Sequence, residues 1–320
     1  MTGRLEQQRL QPALRAAPAA RSSLARREAI AGYLFIAPWL AGFFLWTVGP
    51  MVASLALSFA DYAIIAPPVF VGTANFAQIF GRDDSFRDAL RVTFTYAFFS
   101  VPTGLVLSLL IALLMNQRVP GLRLWRTIYY LPAVVSGVAV AMLWVWVFHS
   151  EFGLINLALR LIGVRGPAWL GSPDWALWAL ILMSFWGVGG GMVVKLAGLQ
   201  GIPTELYEAA SIDGAGSWQK FWRITLPMLS PILFFNLVMG VITTFQYFTN
   251  AYIMTDGGPG RATLFYNLYL YRIAFNYFQM GYASALAWIL FLIILVLTLL
   301  IFKSSPYWVY YEGQERGRAR

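Results

Sequence analysis

Six stretches of this chain, about 30–60, 92–115, 128–148, 175–196, 228–252 and 283–302, are apolar runs of membrane-spanning length. An α-helix needs about 20 apolar residues to cross roughly 30 Å of hydrocarbon. The first run is too short to cross twice, and Pro38 and Pro50 should kink it. None of the six contains Asp or Glu, and Lys195, near the end of the fourth, is their only charged residue. Its long stem is expected to carry the ammonium out to the membrane interface. Such a chain can only be an all-α, six-span integral membrane protein.

Composition agrees. The 320 residues are 59% hydrophobic and 12% charged, against about 45–50% and about 25% in soluble domains. The absence of cysteine excludes disulfides and thiolate metal sites. A single histidine, His149, excludes a His-rich metal site; at a span end it suits the headgroup level. The formal charge of +9 fits cytoplasmic loops and anionic membrane lipid rather than nucleic acid.

Residues 1–28 are Arg-rich (Arg4, Arg9, Arg15, Arg21, Arg26, Arg27). The apolar run that follows far exceeds the roughly 7–15 residues of a signal-peptide core, so an uncleaved cytoplasmic tail is expected. The spans then fill 29–303, and 304–320, with Arg316, Arg318 and Arg320, forms a second tail. Between the runs lie a polar loop at 61–91, a basic loop at 116–127 with Arg118, Arg123 and Arg126, and a charge-balanced loop at 149–174. The last external segment opens with Thr255-Asp256-Gly257-Gly258-Pro259 and continues with many aromatics, best read as a packed helix. Gly187 and Gly189-Gly190-Gly191 mark close helix packing or a hinge in the fourth span. Most of the 23 Lys and Arg residues fall in the two tails, the 116–127 loop and the segment before span five. Positive residues favour the cytoplasmic side, which places both termini and that segment there.

The chain lacks a G-x-x-x-x-G-K-[ST] phosphate loop, so it does not bind ATP in that way. Carriers driven by protons or sodium usually place ionisable groups near the membrane midplane. Spans without acids argue against that mechanism and for an outside energy source. No nucleophile, base and acid set suggests an enzyme.

The most informative polar segment is 203–227. Pro203 suits a first helical turn, Gly214 and Gly216 punctuate the chain, and Ser217 can cap a second short helix carrying Trp218, Phe221 and Trp222. Glu208 and Asp213 set fixed negative charge beside the small pair Ala209-Ala210, which permits close approach by a partner. The arrangement suits docking rather than catalysis.

Glu208, Ala209, Ala210, Gly214, Ile224, Leu226 and Pro227 fall on the spacing Glu-Ala-Ala, three residues, Gly, nine residues, Ile-x-Leu-Pro. This pattern resembles the "EAA" coupling loop of binding-protein-dependent ABC importer permeases of the maltose and glycerol-phosphate type. Asp213 matches the Asp-Gly form of the sugar-importing branch. Phe70-Val71-Gly72, Asn75-Phe76, Asp256-Gly257-Gly258-Pro259, Tyr271, Ala274-Phe275 and Gly281 with Ala283-Ser284-Ala285 are similar to other pieces of that family. The resemblance implies a type I permease fold in a prokaryotic plasma membrane. It implies a second, related permease as partner, two ATPase subunits that hold ATP and Mg, and an extracytoplasmic sugar-binding protein. Glu208, Ala209, Ala210, Asp213, Gly214, Ile224, Leu226 and Pro227 would then couple the ATPase to alternating access, and this chain itself would hold no cofactor and catalyse nothing.

For substrate, the polar residues of span five, Thr243, Thr244, Gln246, Tyr247 and Asn250, combine hydroxyl, amide and aromatic groups of the kind that sugars need. Thr243/Tyr247 and Gln246/Asn250 are spaced i,i+4 and should share one side of a helix. Ser184, Trp186 and Gly187 of span four lie at comparable depth. The competing role for such residues is hydrogen bonding between helices. The expected cargo is a sugar, a di- or oligosaccharide. Rival readings are a permease for a glycerol phosphodiester, polyol or amino acid, and a stand-alone channel or secondary carrier. A phosphorylated cargo would favour cationic residues in the spans, and Lys195 near an end leaves a neutral sugar favoured.

Overall fold

The computed structural model describes residues 23–117 and 120–310. Residues 1–22 and 311–320 of the two expected tails, with Arg316, Arg318 and Arg320, lie outside the described residues, as does Arg118.

The chain divides into two compact units, 1–54 and 55–320. The first holds helix α1 (Ser23–Phe43), a π-helical turn at Phe44–Val48 and the start of α2 (Gly49–Ser58). The helical run Arg26–Ser58 is long and apolar enough to cross a membrane, and its most apolar window is wholly unburied.

In the second unit the stretch expected as a polar loop at 61–91 is largely structured. Strands β1 (Ala60–Asp61) and β2 (Val69–Phe70) pair antiparallel, Ala60 opposite Phe70, and an amphipathic helix α3 (Ala74–Arg82) follows. Asn75 pins this hairpin: its buried amide donates to the carbonyls of Ser58 at 2.9 Å and Ala60 at 3.0 Å. Helix α4 (Asp84–Met115) starts well before residue 92, because Asp83 caps it by accepting from the Phe86 amide at 2.9 Å. The shortfall has a simple cause: the charged first turns of α4 project beyond the apolar run.

Helices α5 (Leu122–Val134) and α6 (Gly137–Val147) replace the single helix expected over 128–148. They meet at 100°. Pro132 removes one backbone donor, and Val135 and Ser136 are extended (ψ 141° and 132°), so the helix cannot continue. Helix α7 (Leu154–Leu161) covers part of the next loop, which Asn156 and Trp169 tie together with a 2.7 Å hydrogen bond. Helix α8 (Pro173–Ser184) runs through a 3₁₀ turn at Phe185–Gly187 into α9 (Gly189–Gln200), with a 42° bend. Gly189 is fully packed here: a Cβ would collide with the Tyr129 carbonyl oxygen of α5. The glycine run therefore serves both close packing and a bend.

Two short helices, α10 (Thr204–Ile212) and α11 (Ser217–Lys220), lead through a π-helical turn at Phe221–Thr225 into α12 (Leu226–Phe245). Helix α13 (Thr249–Met254) follows after a break. Helix α14 (Tyr266–Tyr271) continues as a π turn to Asn276, and α15 (Met280–Trp308) ends the described chain. As expected, α14 is packed: Tyr266 and Leu268 are fully buried, and the Tyr266 amide donates to Thr93 of α4 at 2.9 Å.

At its start, α4 is held by a carboxylate. Tyr269 and Tyr282 each donate to Asp83 Oδ2 at 2.6 Å. Burial, reinforced by this bond to Asp83, pushes the Tyr269 phenol well above its ordinary value, so it remains a donor at physiological pH. At the other end, Leu109, Ala112 and Met115 pack with Met192, Leu196, Leu199 and Leu229, and Tyr207, Phe221 and Ile224 close over them.

Among the described residues, four helical runs are each long and apolar enough to cross a membrane, and the two bent pairs reach that standard only as pairs. Asn75→Asp, which keeps the volume but replaces a donor with an acceptor, should destabilise the folded protein by about 1–3 kcal/mol. A lowered unfolding temperature in detergent is the expected result; an unchanged one would show that Asn75 carries no load.

Candidate functional site

The segment 203–227 folds as two short helices joined by a glycine stop. Pro203 sits just outside α10 as its N-cap, one residue earlier than expected. Gly214 takes a left-handed φ of +76°. Its amide donates to Ser211 at 3.1 Å, and the Ala215 amide donates to Ala210 at 2.8 Å. These are the two bonds of a Schellman stop, which a side chain at 214 would strain. The expected cap at Ser217 is instead Gly216, whose amide donates to Gln219 Oε1 at 2.9 Å. Side chains then lock the two helices into one body. Lys220 donates to Ser211 at 2.7 Å, and the Tyr207 and Thr225 hydroxyls lie 2.9 Å apart.

This body leaves part of its apolar surface exposed. Ile212 is 88% and Trp218 72% exposed, with Leu206 and Trp222 also exposed. Glu208, Ala209 and Asp213 are exposed beside them, and Ala210, half-buried, lines a shallow cavity with Asp213, Gly214, Lys220 and Ile224. Leu226 and Pro227 are half-buried where α12 begins. Apolar rings presented on a rigid polar segment suit a protein partner.

A second feature lies between α4, the α8–α9 pair and α12. A cavity of about 380 Å³ is lined there, and among its walls are Ser100, Ser108, Ser184, Lys195, Asn236 and Thr243. Of the expected substrate residues, Ser184, Gly187, Thr243 and Thr244 line it. Trp186, Gln246, Tyr247 and Asn250 do not. Trp186 is half exposed against Trp144, and Tyr247 packs on Tyr96 and Phe265 with ring centres 4.6 and 4.8 Å away. The expected i,i+4 faces fail because α12 ends at Phe245. Gln246 caps it, Phe248 is non-helical (φ −140°), and Asn250 belongs to α13.

The structure also corrects Lys195. It does not reach an interface: it is 1% exposed and donates to Ser108 Oγ at 2.8 Å. Ser100, Gly104 and Ser108, spaced i,i+4 in the second apolar run, are cavity residues that the sequence reading passed over. Small and polar residues at that interval were the available signal, since they let helices approach closely.

Residues 81–305 match the family described as binding-protein-dependent transport system inner membrane component. The chain belongs to this family of transport components. It is similar, at 47% identity over 294 residues, to a Bacillus subtilis (strain 168) protein named as the probable ABC transporter permease protein YesP, covering 91% of this chain and 95% of that one. The trehalose/maltose transport system permease protein MalF of Thermococcus litoralis is 34% identical over 287 residues, covering 88% and 96%. Among solved structures, a chain of a bacterial alginate ABC transporter, in complex with an alginate pentasaccharide-bound periplasmic protein, superposes with a TM-score of 0.79. It is 25% identical, covering 89% of this chain and 97% of that one. The chain is thus a multi-pass component of the inner membrane.

Gly214→Val should strain the stop by about 1–2 kcal/mol, the cost of a left-handed φ for a residue with a Cβ. Amide exchange across Thr204–Ile212 should quicken while α4 stays protected; unchanged exchange would mean that the stop does not hold α10.

Proposed function

We propose that the chain is the six-span permease subunit of an ATP-driven importer, that its cargo is a di- or oligosaccharide delivered by an extracytoplasmic binding protein, and that both termini are cytoplasmic. The observation that carries this is the rigid α10–α11 body with its exposed apolar and acidic surface. In a chain without a G-x-x-x-x-G-K-[ST] phosphate loop, a separate motor would be met through such a surface. Its placement supports the reading. Helix α4, at 32 residues, is about 48 Å long, more than the roughly 30 Å of hydrocarbon. Asp83, Tyr269 and Tyr282 close one end of α4, and the 203–227 body closes the other.

On this reading Glu208, Ala209, Ala210, Asp213 and Gly214 dock on one of two ATPase subunits, which hold ATP and Mg. Ile224, Leu226 and Pro227 pass the movement into α12. A second permease completes the translocation path. Each bent pair, α5 with α6 and α8 with α9, counts as one span, which makes six. The cavity between α4, α9 and α12 faces that path, and Ser184, Gly187, Thr243 and Thr244 meet the sugar. Similarity to a permease named for trehalose/maltose and to a chain of an alginate ABC transporter supports carbohydrate as the cargo class.

Glu208→Lys should leave the protein folded in the membrane but lower uptake by the assembled transporter roughly 5- to 150-fold, the span of a 1–3 kcal/mol coupling energy. Wild-type uptake rates by that variant would remove the docking role. Thr244→Ala should weaken apparent sugar affinity by about 2- to 10-fold, one hydrogen bond's worth. Tyr247→Ala should lower stability rather than alter selectivity. Uptake assays across several disaccharides, paired with unfolding curves, separate the two effects.

A further inference from the structure

Lys195 is a buried cation in the wall of the cavity, and among the described residues no acid pairs with it. Its ammonium donates to Ser108 Oγ at 2.8 Å, and the Ser108 hydroxyl is oriented by the Gly104 carbonyl at 2.6 Å. An ammonium has three donors. Among the described residues the ion pairs are Arg87–Asp84, Arg261–Asp88 and Arg272–Asp256, and none involves Lys195. The acids of the surrounding helices, Asp84 and Asp88 of α4 and Asp174 of α8, sit at the far ends of those helices. Asp88 is twenty residues from Ser108 along α4, about 30 Å. Helices α9 and α12 carry no acid at all, and Arg126 of α5, bonded to the Met115 carbonyl at 3.0 Å, adds further positive charge toward the same end.

An uncompensated buried ammonium is expensive, and intramembrane cations usually face a partner or a pathway. The cost has a use if the missing anion arrives with the cargo. Resting on the carbohydrate-import reading above, we infer that this cavity takes an anionic carbohydrate, with the Lys195 ammonium as counter-ion to one carboxylate or sulfonate group. Ser184, Asn236 and Thr243 supply neutral hydrogen-bonding groups for hydroxyls around it. The cavity's volume of about 380 Å³ lies within the range of small-molecule sites. A site built to meet a charge discriminates strongly against a cargo that lacks it, because its own polar group is then left unpaired.

The test uses the complete transporter, with its binding protein, in proteoliposomes. Probes are digalacturonate, a disaccharide bearing a sulfonate and lactose. At least one acidic probe should be taken up with apparent affinity roughly ten- to a hundredfold better than lactose, the worth of one charge-assisted hydrogen bond. Which acidic probe is moved distinguishes carboxylate from sulfonate-type recognition. Lys195→Met should erase that preference and Lys195→Arg should keep it; Lys195→Gln replaces the Met variant if that one fails to assemble. Lactose uptake equal to or better than that of both acids overturns the anionic assignment and leaves the carbohydrate reading standing. An acid preference that survives in the Met or Gln variant overturns the role of Lys195. If no probe, acidic or neutral, is moved, the carbohydrate reading fails and this inference falls with it.

Discussion

Close approach between helices is the constraint on which the second unit depends. In hydrocarbon, helices gain little from hiding apolar surface, since lipid tails are apolar too, so van der Waals contact between closely spaced backbones must hold them. Gly189 supplies one such contact, meeting the Tyr129 carbonyl where α9 crosses α5. Gly191 of α9 and Gly240 of α12 serve the same end against α4, where an added Cβ would press on Ser108 and Val101. They also leave space. The small residues that let three helices converge also line the cavity between them, so close packing and the cavity come from the same residues.

At the start of α4, and inside the 203–227 body at its other end, hydrogen bonding takes over from packing. Asp83 caps the helix and accepts from two tyrosines, which ties α14 and α15 to it. The 203–227 body is locked internally by its glycine stop and by the Lys220 and Tyr207 side-chain bonds. Two short helices with a fixed turn and cross-linking hydroxyls are stiffer than a flexible loop would be, and the π turn at Phe221–Thr225 joins them to α12 without a break.

Helical content, the apolar runs and the outline of the 203–227 segment were all readable from residue order. Gly214 was recognisable as punctuation because a helix stop needs a left-handed residue, and the geometry at that position is local. The polar patch in span five was only half readable. Thr243 and Thr244 stand in the cavity wall, but Tyr247 and Asn250 do not, because a helix break at 246–248 rotates everything after it. Nothing in an apolar run with no internal Gly or Pro at that point announces the break. The right angle between α5 and α6 was half announced, by Pro132 and the Ser136-Gly137 pair, and its size depends on what each helix packs against.

Residue order alone determined that this chain is helical and lives in a membrane, because backbone groups and long apolar runs have few other ways to be satisfied. It also determined the turn within the 203–227 segment, since a left-handed stop at Gly214 is a local property. Tertiary structure decided which polar side chains share a cavity, and it turned Lys195 from an expected surface anchor into a buried cation facing Ser108. Burial and partnership are relations between distant segments: Ser108 and Lys195 are 87 residues apart, and no local pattern records that they touch.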